Sequence, residues 1–430
     1  MPSPQQAVRL RRLALASGVI IGCLVVVKAC GAAPPGSSPV LSNYERSTGD
    51  TIRRDCGYSS PLPGRPGWSI WLFCDTAVMS AHAQTIERLI LGTGTAADGP
   101  YQAGRAPAGL SEIPTPPTRP ALPSSAAPQP FLPAPDSLRL PGGMLPCTGP
   151  GAYPAAWISG VTRAPPDTAD TLLITYDEYC VTRTGTGTGD ATTAEGFGLA
   201  EYDPASNLLG PVTTVFSTGF GQPLLKQQVL GSPILARDGY LYLFGFCRAD
   251  PPPAGCGRGR VFLARTVAAP TYWSNPFSYQ YWTGAGWSPR PAAAGSLIPA
   301  GQPLGIWVGD FAADGKGLVM VEQTSLEGGF QAWRARSPAG PWRRILTGRV
   351  PCTDGTERGA EGLCRALIGH PELSTRSRLL ISYYDPGNSH VDVAAYPWLK
   401  RLRSVSLFRR AYRQCVFVPA TGQWTATHRP

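Results

Sequence analysis

Thr171-Leu-Leu-Ile-Thr-Tyr-Asp-Glu178 is an apolar and β-branched run opened by a polar residue and closed by two carboxylates. Four other stretches share its plan: Trp68-Ser-Ile-Trp-Leu-Phe-Cys-Asp75, Gly239-Tyr-Leu-Tyr-Leu-Phe-Gly245, Gly317-Leu-Val-Met-Val-Glu-Gln323 and Arg378-Leu-Leu-Ile-Ser-Tyr-Tyr-Asp385. Aromatic and β-branched enrichment between turn residues marks each as a strand. Taken in chain order, their starts lie 103, 68, 78 and 61 residues apart. One strongly buried strand at such intervals is the signature of a propeller whose blades are four-stranded sheets. The expected fold is therefore all-β, a five-bladed β-propeller; a two-sheet sandwich or two smaller β domains are the alternatives.

Weaker strands fall between these, at Phe262-Leu-Ala-Arg-Thr266 and Gln331-Ala-Trp-Arg-Ala-Arg336, and tryptophan-bearing turns recur at 281–287 and 337–342. The long first interval holds a proline-rich stretch, about 100–146, in which missing N–H donors prevent a regular ladder. It reads as an insertion in the first blade, packed on the surface or mobile, and able to wall a cleft. The Thr-Gly repeats of 184–190 and the prolines of 251–253 read as loops. Neither glycine-rich stretch has the strand–loop–helix setting of a phosphate cradle, so nucleotide binding is not expected.

Fifty glycines and 46 prolines exceed a fifth of the 430 residues, yet a hydrophobic share of 43% with 11 Trp and 16 Tyr supplies a large core. At the N-terminus, Arg9, Arg11 and Arg12 precede the apolar run 13–27. That run is short against the roughly 20 residues a membrane span needs, so residues 1–30 read as an export signal. Val27-Lys-Ala-Cys30-Gly31 is a lipobox with an ill-fitting Lys28, which makes Cys30 the candidate lipidation site. Cleavage without lipidation near residues 31–33 and an uncleaved anchor are the other outcomes. Residues 31–47 read as a flexible tether and 48–430 as a single propeller domain. All three outcomes place the folded part outside the cytoplasm, secreted or held at the outer face of the cytoplasmic membrane.

Nine cysteines follow Cys30, and no Cys-x-x-Cys occurs, so a zinc site is not expected and no metal or cofactor is assigned. In an oxidising compartment the cysteines should pair. Short intervening loops favour Cys247 with Cys256 and Cys352 with Cys364; Cys56 with Cys74 comes next, then Cys147 with Cys180, leaving Cys415 over. The formal charge of +10 falls to near +6 once Arg9, Arg11, Arg12 and Lys28 leave with the signal. The one basic cluster, Lys400, Arg401, Arg403, Arg409, Arg410 and Arg413, reads as a solvated face, with anionic envelope polymer or lipid as the other possible contact. No nucleic-acid partner is expected, and a monomer is.

Without a nucleophile elbow, a His-Glu-x-x-His or a Cys/His pair, the chemistry left is that of carboxylates at strand ends. Asp55 stands in Arg53-Arg54-Asp55-Cys56-Gly57, and Asp75 closes the run Ile70-Trp-Leu-Phe-Cys-Asp75. An ionisable group after five apolar residues is costly unless paired or functional. On innermost strands two such groups would meet in the axial channel. Convergent carboxylates are the minimum apparatus of glycoside hydrolysis, one as nucleophile or base and one as acid. The competing reading is that both merely cap turns.

Asp55-Cys-Gly57 followed by Trp71-Leu-Phe-Cys-Asp75-Thr76 resembles the opening of an actinobacterial five-bladed propeller family, formerly of unknown function, that includes endo-D-arabinanases. Further matches are Gly231-Ser-Pro-Ile234, Leu241-Tyr-Leu-Phe244, Val261-Phe-Leu-Ala-Arg265 with the 281–287 turn, and His370-Pro-Glu-Leu373 with Leu380-Ile-Ser-Tyr-Tyr384. The similarity runs from about 48 to 395. It implies hydrolysis of D-arabinofuranosyl linkages in cell-envelope arabinan, of the arabinogalactan or lipoarabinomannan type, with retention. The family's two essential aspartates map onto Asp55 and Asp75, with Asp55 assigned here as nucleophile and Asp75 as acid/base. Cys56 and Cys74 depart from the pattern, and a bridge between them would either preorganise the pair or mark a branch with altered activity. The alternative is a noncatalytic envelope lipoprotein that binds glycan or a protein partner.

Substrate contacts are further expected from Glu178, Asp310, His370, Tyr384 and Asn388. For Glu178 and Asp310 the competing readings are a satisfied strand-end carboxylate and a turn cap; for His370, a structural histidine. Trp157, Trp273, Trp282 and Trp307 are candidates for stacking on sugar faces, against the usual fate of propeller tryptophans in the core.

Overall fold

The computed structural model describes residues 51–80, 86–107, 109–116, 128–132, 147, 151–164, 170–182, 191–217, 234–246, 260–299, 301, 303–352, 364–385, 390–398, 416–418 and 423–425. The signal, tether, Cys30, Asn388, the 400–413 basic cluster, Cys247, Cys256 and Cys415 lie outside the described residues. No described helix is long and apolar enough to cross a membrane.

Five antiparallel sheets follow one another along the chain. Blade 1 comprises β1 (Thr51–Pro61), β2 (Trp68–Met79), β3 (Ile86–Ile90), β4 (Thr95–Pro100) and β5 (Ser111–Glu112), ordered β1-β2-β4-β5 with β3 also paired to β2. Blade 2 is β6 (Ala152–Arg163), β7 (Leu172–Thr182), β8 (Ala191–Asp203) and β9 (Leu208–Ser217). Blade 3 is β10 (Ile234–Arg237), β11 (Tyr240–Phe246), β12 (Val261–Val267), β13 (Gln280–Trp282) and β14 (Trp287–Ser288). Blade 4 is β15 (Gly305–Asp310), β16 (Leu318–Gln323), β17 (Gly329–Ala335) and β18 (Arg343–Arg349). Blade 5 is β19 (Arg365–Gly369), β20 (Arg378–Asp385) and β21 (His390–Pro397). A two-stranded ribbon, β22 (Val416–Val418) with β23 (Gln423–Thr425), follows. The first strand of each blade touches the first strand of the next, and β19 returns to β1, closing a five-membered ring. The chain is a five-bladed β-propeller.

The five runs that announced the fold are the second strands, β2, β7, β11, β16 and β20. Side chains alternate across a strand, so a second strand packed between two neighbouring blades must be apolar on both faces. Ile70 and Leu72 of β2 join Leu172, Ile174 and Tyr176 of β7 in the seam between blades 1 and 2. Leu173 turns the other way, to Leu241 and Leu243 between blades 2 and 3. Phe244 meets Leu318 and Met320 between blades 3 and 4, and Val319 and Val321 meet Leu379 and Ile381 between blades 4 and 5. Trp71 and Phe73 then meet Leu380, Val391 and Val393 to close the ring.

The proline-rich insertion is packed where it is described. Its described ladder is the two-residue β5, opposite Ala97 and Asp98, where Ser111 and Glu112 lie between prolines rather than at them; no regular ladder runs through the rest of its described residues. Arg54 and Glu112 form an enclosed ion pair between β1 and β5, each about 2% exposed. Farther on, Phe131 and Leu132 donate their backbone N–H groups to the carbonyls of Gly94 and Thr93 and bury their side chains between blades 1 and 2. Phe131 and Tyr202 meet edge to face with ring centroids 5.1 Å apart. A Cys147–Cys180 disulfide ties the end of the insertion to β7.

Removing a buried phenylalanine costs its transfer free energy and leaves a cavity. Phe131→Ala should therefore lower the free energy of unfolding by about 3–5 kcal/mol, read as a fall in the urea midpoint at unchanged slope. An unchanged midpoint would mean that the insertion contributes nothing to the fold.

Candidate active site

Asp55 lies in the middle of β1, an innermost strand, whereas Asp75 lies on β2, a second strand, so the expectation that both stand on channel-lining strands is corrected. Irregular pairing brings them together. Arg54 pairs with Thr76 and Cys56 with Phe73, so the single residue Asp55 faces two, Cys74 and Asp75. A compensating bulge on β1 follows at Gly57, before Tyr58 pairs with Leu72. Bulges re-aim side chains and are common beside active sites. Cys56 and Gly57 take φ of 71° and 112°, and a Cβ on Gly57 would stand 2.9 Å from Val391 Cγ1. The Cys56–Cys74 disulfide staples the two strands beside both aspartates.

Asp55 Oδ1 accepts the backbone N–H of Cys56 at 2.6 Å, and Oδ2 lies 3.5 Å from Arg365 Nε, with 22% of the side chain exposed. Arg365 opens β19, and its guanidinium carbon sits 4.9 Å from the Tyr384 ring centroid. The Asp55 carboxylate is the main cause of a further rise in the Arg365 pKa.

Asp75 faces the other way, toward blade 2. Its Oδ1 accepts the Gly92 N–H at 2.9 Å and the Trp157 indole N–H at 3.1 Å, and Oδ2 lies 3.4 Å from the Tyr153 hydroxyl. Gly92 is needed there, because a Cβ would fall 2.6 Å from the Pro154 carbonyl oxygen of β6. Burial raises the Asp75 pKa and the charge of Asp55 adds to the rise, against the Gly92 and Trp157 hydrogen bonds and the Arg365 charge, which lower it. Burial, then the charges of Asp177 and Asp55, push the Tyr58 phenol up.

Tyr384 is thus drawn to the pair through Arg365. His370 and Glu178, expected on a sugar-binding surface, are instead fully enclosed. His370 Nδ1 is 2.6 Å from Ser59 Oγ, Nε2 is 2.7 Å from Ser382 Oγ, and its ring lies 4.7 Å from that of Trp71. Ser59 also donates to Glu372. This serine–histidine–glutamate chain evokes a nucleophilic triad, but its histidine has no exposure to a substrate, and it joins blade 1 to blade 5. Glu178 accepts from Thr214 at 2.6 Å within blade 2. Asp310 caps the turn after β15, accepting the Ala312 N–H at 2.8 Å, and lies 3.7 Å from Arg237. Trp273 and Trp307 are buried in the core, Trp282 packs against Trp287, and Trp157 serves as donor to Asp75.

Sequence reasoning missed Arg365, Tyr153 and Gly92. Arg365 carried one legible signal: like Asp55 and Asp75, it adjoins a half-cystine, here Cys364, which is bridged to Cys352. Among the described residues no group of three or more His, Cys, Asp or Glu is arranged to hold a metal ion.

The fold is similar to that of a Bacteroides ovatus ATCC 8483 protein provisionally described as a hydrolase, at 15% identity and TM-score 0.51, covering 85% of this chain and 94% of that one. More distant likenesses are a family 117 glycoside hydrolase of Zobellia galactanivorans (10% identity, TM-score 0.41, 84% and 91% covered) and the xylose-bound GH43_1 enzyme of Xanthomonas citri (10%, 0.40, 91% and 94%). No family model and no curated protein matches the chain.

Enclosure sets opposite pH dependences in the seam between blades 1 and 5. Burial raises Glu372 to about 7 and lowers His370 to about 3, so both favour their neutral forms. The unfolded chain releases the Glu372 proton near the ordinary value of 4.5, so its stabilisation is complete below that pH and is lost as pH rises to about 7. That of His370 is complete above about 6.5 and is lost as pH falls toward 3. Glu372→Gln should therefore gain stability relative to the wild type as pH rises from 4.5 to 7, by a few kcal/mol at most, with no further change above. Urea unfolding at pH 4.5, 5.5, 7 and 8 measures this; a difference independent of pH would sink it.

Proposed function

We propose that this chain is an exported glycoside hydrolase that cleaves D-arabinofuranosyl linkages in cell-envelope arabinan with retention. The observation that carries the reading is the juxtaposition of Asp55 and Asp75. Two bulges and a disulfide hold their strands together beside them, burial raises the Asp75 pKa, and the charge of Asp55 adds to that rise. The order of motifs shared with the endo-D-arabinanase-containing propeller family supports the substrate assignment, and the propeller fold is one on which such sites are built.

On this reading the two carboxylates divide the work by environment, as retaining hydrolysis requires. Asp55, partly exposed and facing the Arg365 cation, attacks the anomeric carbon while the glycosidic oxygen departs. Asp75, enclosed and held by Gly92, Trp157 and Tyr153, delivers its proton to that oxygen. Water then enters, Asp75 takes its proton, and the glycosyl–Asp55 ester is hydrolysed. Anchoring of the exported chain through Cys30 would place this site beside its polymer; the expected partners are that polysaccharide and, through a lipid, the membrane.

The purified protein should release oligosaccharides from arabinogalactan, and Asp55→Asn or Asp75→Asn should each lower the rate by at least about a thousandfold. Because Asp75 is the acid and its pKa is raised, wild-type activity should persist to higher pH than an unperturbed aspartic acid allows and decline as pH rises through that value. Release from L-arabinan or a fructan instead would replace the substrate. No product from any of them, or undiminished product from the asparagine variants, would defeat the catalytic reading.

A further inference from the structure

A third bulge bears on the site. Arg365 pairs with Tyr384 but Ile368 with Ser382, so β19 carries an extra residue just after Arg365, and Ala366 takes φ of 54° there. Outside glycine, positive φ is uncommon and is kept only where the surroundings over-determine it. Here they do. Cys364 is fully buried and bridged to Cys352, its N–H donates to the Leu326 carbonyl at 2.8 Å, and its carbonyl accepts from Gln323 Nε2 at 2.6 Å. The residue before Arg365 is thus moored to blade 4, while the Arg365 side chain reaches across the closure of the ring to Asp55 on blade 1.

We infer that Arg365, steadied by the ring of Tyr384, is the positioning residue for Asp55, fixing its carboxylate from across the junction of blades 1 and 5. The inference rests on the proposed role of Asp55. The Asp55 oxygens are divided between a backbone N–H on their own strand and a cation from another blade. A backbone hydrogen bond on one oxygen and a charge contact at 3.5 Å on the other both disfavour rotation of the carboxylate, which is what attack on one carbon demands. Arginine suits the position because its charge is permanent and its guanidinium can lie against an aromatic ring while facing a carboxylate. With 58% of its side chain exposed, it carries little of the fold.

Kinetics of Arg365→Gln, Arg365→Lys and Tyr384→Phe on an arabinan oligosaccharide test this. For Arg365→Gln, kcat should fall roughly a hundredfold with KM little changed. Lysine should recover only part of the rate, since it returns the charge without the flat guanidinium. Tyr384→Phe keeps the ring beside the guanidinium but loses the hydroxyl's hydrogen bond to it, so kcat should fall by less than in Arg365→Gln. Thermal midpoints of all three should match the wild type. A kcat for Arg365→Gln within about twofold of wild type, while Asp55→Asn abolishes turnover, would overturn the inference and leave the function standing. Should the wild type prove inactive, the function fails but the positioning is still tested by the crystal structure of Arg365→Gln. An Asp55 carboxylate in a new rotamer or in split conformers supports it, and an unmoved carboxylate overturns it.

Discussion

The closure between blades 5 and 1 is the constraint on which the rest of the ring depends. Four of the five seams join blades that follow directly in sequence. The fifth must join residues more than three hundred positions apart, as Ser59 and His370 are. A loop of that length costs entropy that a few apolar contacts at its ends must offset. Trp71, Phe73, Leu380, Val391 and Val393 provide the apolar part. Beside them a buried polar chain, Ser382–His370–Ser59–Glu372, runs through the seam and adds directional bonds to its hydrophobes. Apolar faces tolerate sliding; a histidine bonded at both nitrogens does not. The register of blade 5 on blade 1 is thereby specified as well as stabilised.

That register matters because the same seam carries Asp55 and Arg365. A slip of β19 by one residue would turn Arg365 away from Asp55. The buried histidine and the exposed ion pair therefore act on one geometry at two depths. Asp75 looks to the opposite seam, where Trp157 and Tyr153 of β6 hold it. Blade 1 is thus gripped on both flanks, and each grip ends on an aspartate.

Much of the architecture was legible because a second strand has no solvent face. Leu172 and Leu173 are adjacent in sequence and buried in different seams, so the run they belong to shows no alternation, and five such runs set the blade count. Asp75 was legible for the same reason, as a charge ending an apolar run; Asp55, which follows two arginines, was picked out through the Asp55-Cys-Gly57 motif. Arg365 was legible only through its half-cystine neighbour, because its partner Asp55 lies on β1, at the other end of the sequence, and Ala366 and Leu367 resemble the residues of any strand. Trp157 was visible as a residue available to the site but not in its role, since nothing in Ala156-Trp157-Ile158 says that an indole will donate to a carboxylate on another blade. His370 and Glu178 misled because enclosure inside a seam and exposure to a channel place the same demand on local sequence.

The cysteines beside Asp55, Asp75 and Arg365 are best understood by weighing energies. Holding a non-glycine residue in the left-handed region costs roughly 1–2 kcal/mol. Cys56 does so, and Ala366 does so two residues from Cys364. Closing an 18-residue separation by a disulfide stabilises a fold by about 3 kcal/mol in the chain-entropy account. One cross-link is therefore enough to offset the backbone conformation at Cys56 and to leave a surplus. The covalent bridge sits where the bulge needs it, between the residue after Asp55 and the residue before Asp75. Hydrogen bonds alone would leave the pair free to relax to a regular ladder, in which Asp55 would face one residue of β2 instead of two. On this reasoning the departure at Cys56 and Cys74 is what makes the irregular geometry of this blade affordable, and it favours preorganisation of the aspartates over their retirement.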